Sequence, residues 1–282
     1  MMKVLCKFGM VCLLVMLFAG CEDHETPQDV VRQNGLPLSG SQEFPARQTG
    51  ASGWADVSYN KTTHMLTFTL NWANLTGIPT GAHIHGTAAR GSNAGIKFDF
   101  FKDIPQTQSG SYSTSVLVDG SKINEADLLN GLYYFNIHTP MNGGGEIRGQ
   151  IEFYDQPHIV VKKGLVLTGM QQVPAVSTNA SGTVDVMYNK STHLLSYFIK
   201  WKDLTGTPTG SHIHGTAAKG ANAGIQHDFF PNFPRDLAGE YSNSVMVDGV
   251  KIKETELLNG LYYFNIHNII YPGGEIRAQI EW

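Results

Sequence analysis

Gly131-Leu132-Tyr133-Tyr134-Phe135-Asn136-Ile137-His138 is the stretch that decides the fold, and it recurs unchanged at positions 260–267. Large apolar residues stand at every second position of this stretch, namely Tyr133, Phe135 and Ile137. Because the side chains of a β-strand point alternately to its two faces, this period of two predicts a strand with one core face. The other set, which includes His138, then lies on the outer face.

A second strand follows closely in the chain and is predicted to complete a hairpin. Placing Ile137 opposite Ile147 also brings Tyr133 opposite Ile151, so one antiparallel register satisfies both apolar faces. This register puts Arg148 on the same outer face as the histidine.

The chain beyond residue 34 consists of one unit and its copy, offset by 129 residues. The two copies are residues 35–153 and 164–282, they align without a gap, and a short linker at 154–163 separates them. Units of about 120 residues are long enough to bury separate cores, so two tandem domains are predicted.

Further short strands and turns are predicted in each unit. Residues 66–72 alternate apolar and polar side chains, and Asp119-Gly120 is a turn signal. Residues 124–131 have an Asn cap, early acids and a terminal Gly, which predicts a single helical turn. The pattern favours an all-β fold made of two tandem antiparallel Greek-key domains, each a β-sandwich or barrel. Glycine-rich phosphate loops and nucleophile elbows are absent from the sequence.

The first 20 residues have the pattern of an export signal. Lys3 and Lys7 precede an apolar run that is too short to span a membrane, and Leu17-Phe18-Ala19-Gly20-Cys21 ends it. This pattern resembles a bacterial lipoprotein signal, which implies cleavage before Cys21 and lipidation of that residue. Residues 21–34 are polar and are predicted to form a tether. The only other cysteines, Cys6 and Cys12, lie in the leader, so no disulfide is expected in the exported protein.

These features indicate a protein of the cell envelope. We expect it on the extracytoplasmic side of a bacterial membrane, held there by the lipid on Cys21, with the outer membrane and the cell surface both open. A formal net charge of −4 without basic clusters argues against a nucleic-acid partner.

Three histidines in each unit are the candidate metal ligands. His83-Ile84-His85 reads as a strand that buries Ile84 and presents both imidazoles on the outer face, together with His138. The second unit repeats the set as His212, His214 and His267. Three imidazoles suit copper or zinc. The alternative is that these side chains only hydrogen-bond to the backbone or to their polar neighbours and hold loops together.

Two further residue types lie close to the candidate ligands in each unit. Asp99 and Asp228 are expected either to orient a ligand imidazole or to face water from an edge strand. Arg148 and Arg277 are expected either to guide an anion or to pair with a neighbouring glutamate such as Glu146.

The motif order resembles one known family. Ala-His-Ile-His-Gly, Leu-Leu-Asn-Gly-Leu-Tyr-Tyr-Phe-Asn-Ile-His and Gly-Gly-Glu-Ile-Arg-Gly-Gln-Ile are similar to the CHRD domain, named after chordin, in both units. The resemblance implies an extracytoplasmic β-domain and no particular enzyme activity. It therefore favours a noncatalytic binding or structural module whose partner is a protein or a small ligand.

A more distant similarity is to Cu,Zn superoxide dismutase. It implies that His83, His85 and His138 are copper-type ligands and that Arg148 guides the anion, with His212, His214, His267 and Arg277 as the second set. The chain departs from that family because its loop before Asp99 is too short for a zinc site and because no disulfide is available. A bridging histidine is also missing, since His227 is matched by Phe98 in the first unit. A copper- or zinc-dependent redox protein is thus the second hypothesis.

Overall fold

Residues 29–282 are described by a computed structural model, in which each repeat forms an eight-stranded antiparallel sheet. The elements of domain 1, the first repeat, are β1 Val30–Ser39, β2 Ser52–Asn60, β3 Met65–Ala73, β4 Gly81–Gly86, β5 Ile96–Asp99, β6 Gly110–Leu117, α1 Glu125–Leu129, β7 Tyr133–Thr139 and β8 Asn142–Ile151. Those of domain 2 are β9 Ile159–Thr168, β10 Ser181–Asn189, β11 Leu194–Lys202, β12 Pro208–Gly215, β13 Ile225–Asp228, β14 Gly239–Met246, α2 Glu254–Leu258, β15 Tyr262–Asn268 and β16 Ile276–Gln279. The prediction of two tandem all-β antiparallel domains is confirmed.

The predicted leader, the lipidation site Cys21 and most of the tether lie outside the described residues. Residues 30–34, which the sequence assigned to the tether, belong to β1, and β9 begins inside the predicted linker. Within residues 29–282, no helix is long and apolar enough to cross a bilayer.

The strands of domain 1 lie in the order β5-β4-β7-β8-β1-β2-β3-β6. β1, β2 and β3 form a meander, whereas β6 returns beside β3 and β7 returns beside β4. The chain therefore crosses from one side of the sheet to the other after β3, β5 and β6, which is Greek-key connectivity. Phe100 directly follows the edge strand β5, and its ring stacks on that of Tyr112 in the other edge strand, β6, with centroids 5.7 Å apart. Aromatic packing thus joins the two edges of the curled sheet.

The core of domain 1 fills the interior of this curled sheet. Phe68 of β3 contacts Phe135 of β7 with ring centroids 4.9 Å apart, although the two strands are not neighbours in the sheet. Such an aromatic pair adds about 0.5–1.5 kcal/mol beyond the burial of its surface. The alternating apolar positions of the sequence supply this core, as the pattern predicted.

The β7–β8 hairpin has the predicted register. Ile137 lies opposite Ile147 and Tyr133 lies opposite Ile151. The outer face of the hairpin is nevertheless buried, because the segment of residues 88–94 folds over it. Arg148 donates to the carbonyl oxygens of Ser92 and Ala89 at 2.7 and 3.2 Å, which fastens this segment to the sheet. A polar layer therefore covers the face that the sequence pattern alone assigned to the outside.

The two domains meet through a buried arginine. Arg90 of domain 1 forms two hydrogen bonds of 2.8 Å with Glu152, and its guanidinium also donates to Ser242 of β14 at 2.7 Å. The hydroxyl of Ser244 donates to the Arg90 carbonyl oxygen at 2.8 Å. Arg90 thus ties the sheet of domain 2 to domain 1 through both its side chain and its carbonyl oxygen.

Candidate metal centre

The pairing of β4 with β7 brings three histidines together in domain 1. Gly81 lies opposite His138, and His85 lies opposite Tyr134 in the antiparallel register. His83 and His85 project from one face of β4, while Ile84 is buried in the core on the other. One nitrogen from each of the three imidazoles lies within 4.8 Å of the others, and His212, His214 and His267 form the same cluster in domain 2.

Backbone carbonyl groups fix the orientation of two imidazoles. Nδ1 of His85 lies 2.9 Å from the Ala94 carbonyl oxygen, and Nδ1 of His138 lies 3.0 Å from that of Gly143. A carbonyl oxygen can only accept, so both Nδ1 atoms carry the hydrogen. Both Nε2 atoms are then left with a lone pair, which is the form that binds a metal ion.

The third imidazole, that of His83, points its Nδ1 atom rather than its Nε2 atom into the cluster. Nδ1 of His83 lies 3.1 Å from Nε2 of His138, while its Nε2 faces Asp99 Oδ1 at 3.7 Å. Two nitrogens bound to one tetrahedral ion at about 2.0–2.1 Å lie roughly 3.3 Å apart, so the observed spacing fits a shared ion. Without an ion, His83 donates to His138, which still leaves Nε2 of His85 buried with no partner.

The cluster in domain 2 has even fewer hydrogen bonds. Nδ1 of His212, Nε2 of His214 and Nε2 of His267 are all buried and all lack a hydrogen-bond partner. Buried polar atoms are nearly always paired, and an unpaired one costs about 1–3 kcal/mol. Three such nitrogens in one cluster therefore fit a bound cation.

Burial keeps the imidazoles neutral. Desolvation, with a smaller contribution from His138, lowers the pKa of His83 to about 4, and Asp99 only partly opposes it. Desolvation likewise lowers the pKa of His212 to about 4 and lowers the pKa values of His85 and His138. Neutral imidazole is the metal-binding form, so the clusters need no proton loss at neutral pH.

Asp99 faces water from an edge strand, and its role in orienting a ligand imidazole stays a prediction. Its side chain is 60% exposed on the edge strand β5, and it also approaches His83 on the side away from the cluster. In domain 2, Asp228 lies 3.6 Å from Nε2 of His212. An aspartate at this position favours the hydrogen on Nε2 and so leaves Nδ1 of the imidazole available to an ion.

Arg148 is separated from the imidazoles by an aromatic ring. Its guanidinium lies 3.5 Å from the centre of the Tyr134 ring, and that ring also stacks on His85, with centroids 5.1 Å apart. Arg277 and Tyr263 repeat the contact at 3.5 Å. The geometry leaves the anion-guiding role of both arginines a prediction, and it shows them supporting the ring behind the cluster.

The expected pairing of Arg148 with a neighbouring glutamate is not observed. The carboxylate of Glu146 accepts hydrogen bonds from the hydroxyls of Thr49, Thr76 and Thr139 instead. Glu152 is bound by Arg90. The reason is partly tertiary, because Thr49, Thr76 and Arg90 are distant in sequence, whereas Thr139 belongs to the same hairpin.

Two glycines and a tyrosine of the site were missed by the sequence interpretation. A Cβ on Gly81 would lie 2.7 Å from Cε1 of His83 and 3.1 Å from Cδ2 of His138, so only glycine lets the imidazoles converge there. Gly210 has the same role beside His212. The hydroxyl of Tyr134 accepts a hydrogen bond from the Ala94 amide at 3.0 Å and so holds the loop that orients His85. The available signal was a glycine two residues before each His-Ile-His.

A tandem pair of Greek-key domains, each with a three-histidine cluster on the sheet, is the class that the fold and site define. The family model of the CHRD domain matches residues 35–151 and 164–280. The chain therefore belongs to the CHRD domain family and carries two CHRD domains in tandem.

Chordin of Danio rerio is similar to the chain, with 28% identity over 163 residues. The alignment covers 55% of this chain and 17% of the fish protein, so the matched region is a small part of that protein. No solved structure matches the chain significantly.

Proposed function

We propose that the protein is a noncatalytic binding module of the cell envelope, in which each CHRD domain holds one copper or zinc ion. The single observation that carries the metal assignment is the set of convergent, buried ring nitrogens without partners in domain 2. The ligands would be Nδ1 of the first histidine and Nε2 of the other two. An all-imidazole set suits both copper(II) and zinc.

The ion would act mainly as a cross-link. His83 and His85 come from β4 and His138 comes from β7, so one ion would join two strands and the loops that hold their imidazoles. An ion that binds the folded chain stabilises it by mass action, by about 2.7 kcal/mol at a free concentration 100-fold above Kd. The outer surfaces of the domains would then be presented to a protein or small-molecule partner.

The membrane anchor is a proposal from the leader sequence. The lipoprotein-like pattern that ends at Cys21 supports attachment on the extracytoplasmic side of a bacterial membrane. We expect wild-type protein to partition with membranes and the Cys21→Ser variant to be released or to remain uncleaved. Unchanged membrane partitioning and unchanged mass of the variant would contradict lipidation.

Metal analysis of protein purified without an affinity tag tests the proposed ion. We expect up to two equivalents of copper or zinc per chain, one fewer in His83→Ala, and none in the His83→Ala/His212→Ala double variant. His64→Ala is the matched control, because His64 lies in the β2–β3 turn and is 54% exposed. Protein that takes up neither metal, or a control that loses as much as His83→Ala, would overturn the assignment.

A redox function is the second candidate. It is favoured by the incomplete coverage of the cluster, because the His83 side chain keeps 12% of its surface exposed and three protein ligands leave a coordination position open. Copper bound there would supply one-electron chemistry, and the chain's residues would hold the imidazoles in place. Copper-loaded protein should then consume superoxide faster than the His83→Ala/His212→Ala variant. Equal rates would exclude the redox function and leave only the noncatalytic proposal.

A further inference from the structure

Glu43 places a carboxyl group in the covered polar layer of domain 1. It follows the 3₁₀ turn Gly40–Gln42, it is buried, and its Oε2 accepts a hydrogen bond from Nδ2 of Asn136 at 3.3 Å. Its other oxygen, Oε1, has no partner, and neither has Oδ1 of Asn136. Both unpaired oxygens crowd the position that a Cβ on Gly145 would take, with Glu43 Oε1 at 2.6 Å from it. Two acceptors are therefore close together without a donor.

The arginines near Glu43 do not supply hydrogen bonds to its Oε1 or to Oδ1 of Asn136. Arg148 and Arg47 are the charged groups that face Glu43, yet neither forms an ion pair with it in the described part of the chain. The guanidinium of Arg148 is already engaged by carbonyl oxygens and by Gln150. The simplest donor for Asn136 Oδ1 is then a hydrogen on Glu43 itself.

Domain 2 shows what this position requires. Gln172 stands where domain 1 has Glu43, and its Nε2 donates to Oδ1 of Asn265 at 2.9 Å. Val176 stands where domain 1 has Arg47, so the charged pair of domain 1 is a neutral pair in domain 2. A protonated carboxyl group is the nearest chemical equivalent of the Gln172 amide, because both place a hydrogen-bond donor beside a carbonyl acceptor in the same plane.

We propose that Glu43 is protonated in the folded protein and donates to Asn136, and that its ionisation loosens the β7–β8 hairpin of domain 1 but not the matching hairpin of domain 2. An ionised carboxylate would face the Asn136 oxygen as a second acceptor in a buried site. Glu43 packs beside Gly145, and the Gly143 carbonyl oxygen two residues away orients His138. The loosening of the hairpin requires no bound metal. It would also displace the Gly143 carbonyl oxygen that orients His138 in the imidazole cluster of domain 1.

The direction of the pH effect follows from burial. Desolvation raises the pKa of Glu43 to about 8, and Arg148, the Asn136 hydrogen bond and Arg47 oppose this rise. The unfolded chain loses the same proton near its ordinary pKa of 4.5. Between these values Glu43 holds its proton in the folded state and loses it in the unfolded state. Its contribution to stability is therefore fully present below pH 4.5 and is lost as the pH rises toward 8.

Hydrogen exchange of metal-free protein between pH 5 and pH 8 tests the proposal. Protection of the amides of residues 144–147, corrected for base catalysis and compared with that of residues 273–276 in domain 2, should fall by up to about tenfold per pH unit. Glu43→Gln should remove the fall, and Gln172→Glu should transfer it to domain 2.

Two outcomes would overturn the proposal. One is protection of the domain 1 hairpin that does not change with pH in the wild-type protein. The other is a fall that persists unchanged in Glu43→Gln. If that variant does not fold, the carboxyl carbon of Glu43, followed by NMR in the wild-type protein, must titrate well above pH 4.5, and an ordinary value would refute the protonated state.

Discussion

Two residues of domain 2 differ from domain 1 in a way that only their contact explains. Tyr197 replaces Phe68 in the core, and its hydroxyl lies 3.3 Å from Nε2 of His227, which replaces Phe98. A buried hydroxyl needs a partner, and the histidine supplies it. His227 pairs with the core residue Ile213, so it lies on the core side of β13, away from the imidazole cluster.

Replacing one member of this pair should cost more than replacing both. His227→Phe would leave the Tyr197 hydroxyl buried without a partner, and we expect the free energy of unfolding to fall by about 1–3 kcal/mol. The double variant Tyr197→Phe/His227→Phe restores the pair found in domain 1 and should recover most of that loss. Urea unfolding of the two single variants and the double variant gives the coupling energy, and strictly additive effects would refute the pairing.

The short helix before β7 differs in its N-cap between the repeats. In domain 1 the side chain of Asn124 accepts a hydrogen bond from the Asp127 amide at 3.2 Å. In domain 2 the N-cap is Lys253, which has an extended backbone like Asn124 but makes no side-chain cap hydrogen bond. The predicted single turn is thus confirmed in domain 1, and α2 forms without the cap because Leu257 packs into the core.

An N-cap placed in domain 2 should stabilise it. Lys253→Asn introduces the missing acceptor at a suitable backbone conformation, and we expect a gain of about 0.5–2 kcal/mol in the free energy of unfolding. Asn124→Lys is the reciprocal variant and should lose a similar amount. Thermal unfolding monitored by circular dichroism measures both, and a destabilised Lys253→Asn protein would contradict this account.

The contact between the domains joins different surfaces of the two repeats. In domain 2 the position of Arg90 is taken by Lys219, which lies 3.6 Å from Glu281, and these side chains are 59% and 54% exposed. Ser242 of β14 is buried against domain 1, whereas its equivalent on β6, Ser113, is exposed. Among the described residues the interface is therefore made once, and the positions equivalent to Arg90 and Ser242 in the other repeat, Lys219 and Ser113, are exposed.

Loss of Arg90 should uncouple the domains. Arg90→Ala leaves Glu152 buried without its partner, and removal of one member of a buried ion pair costs about 3–5 kcal/mol. We expect calorimetry to show two unfolding transitions in this variant and a single one in the wild-type protein. Lys219→Ala is the matched control and should keep the wild-type profile. Equal effects of both variants would show that Arg90 does not connect the domains.

Local periodicity accounts for most of what could be predicted about this protein. The alternation in residues 133–138 was sufficient for β7 and the register of its hairpin, and the offset of 129 residues was sufficient for the tandem architecture. The same parity put His83, His85 and His138 on one face, because alternation of side chains is a property of the strand backbone itself.

The tertiary structure alone decided what covers that face and which atoms there lack partners. The segment of residues 88–94, distant in sequence from β8, buries Arg148 and orients His85 through Ala94. The proposed protonation of Glu43 likewise depends on its contact with the distant Asn136. Arg90, the partner of Glu152, also contacts Ser242 of the second domain. Strand parity is set by each residue and its neighbours, whereas burial and hydrogen-bond satisfaction depend on which distant segments pack against a site.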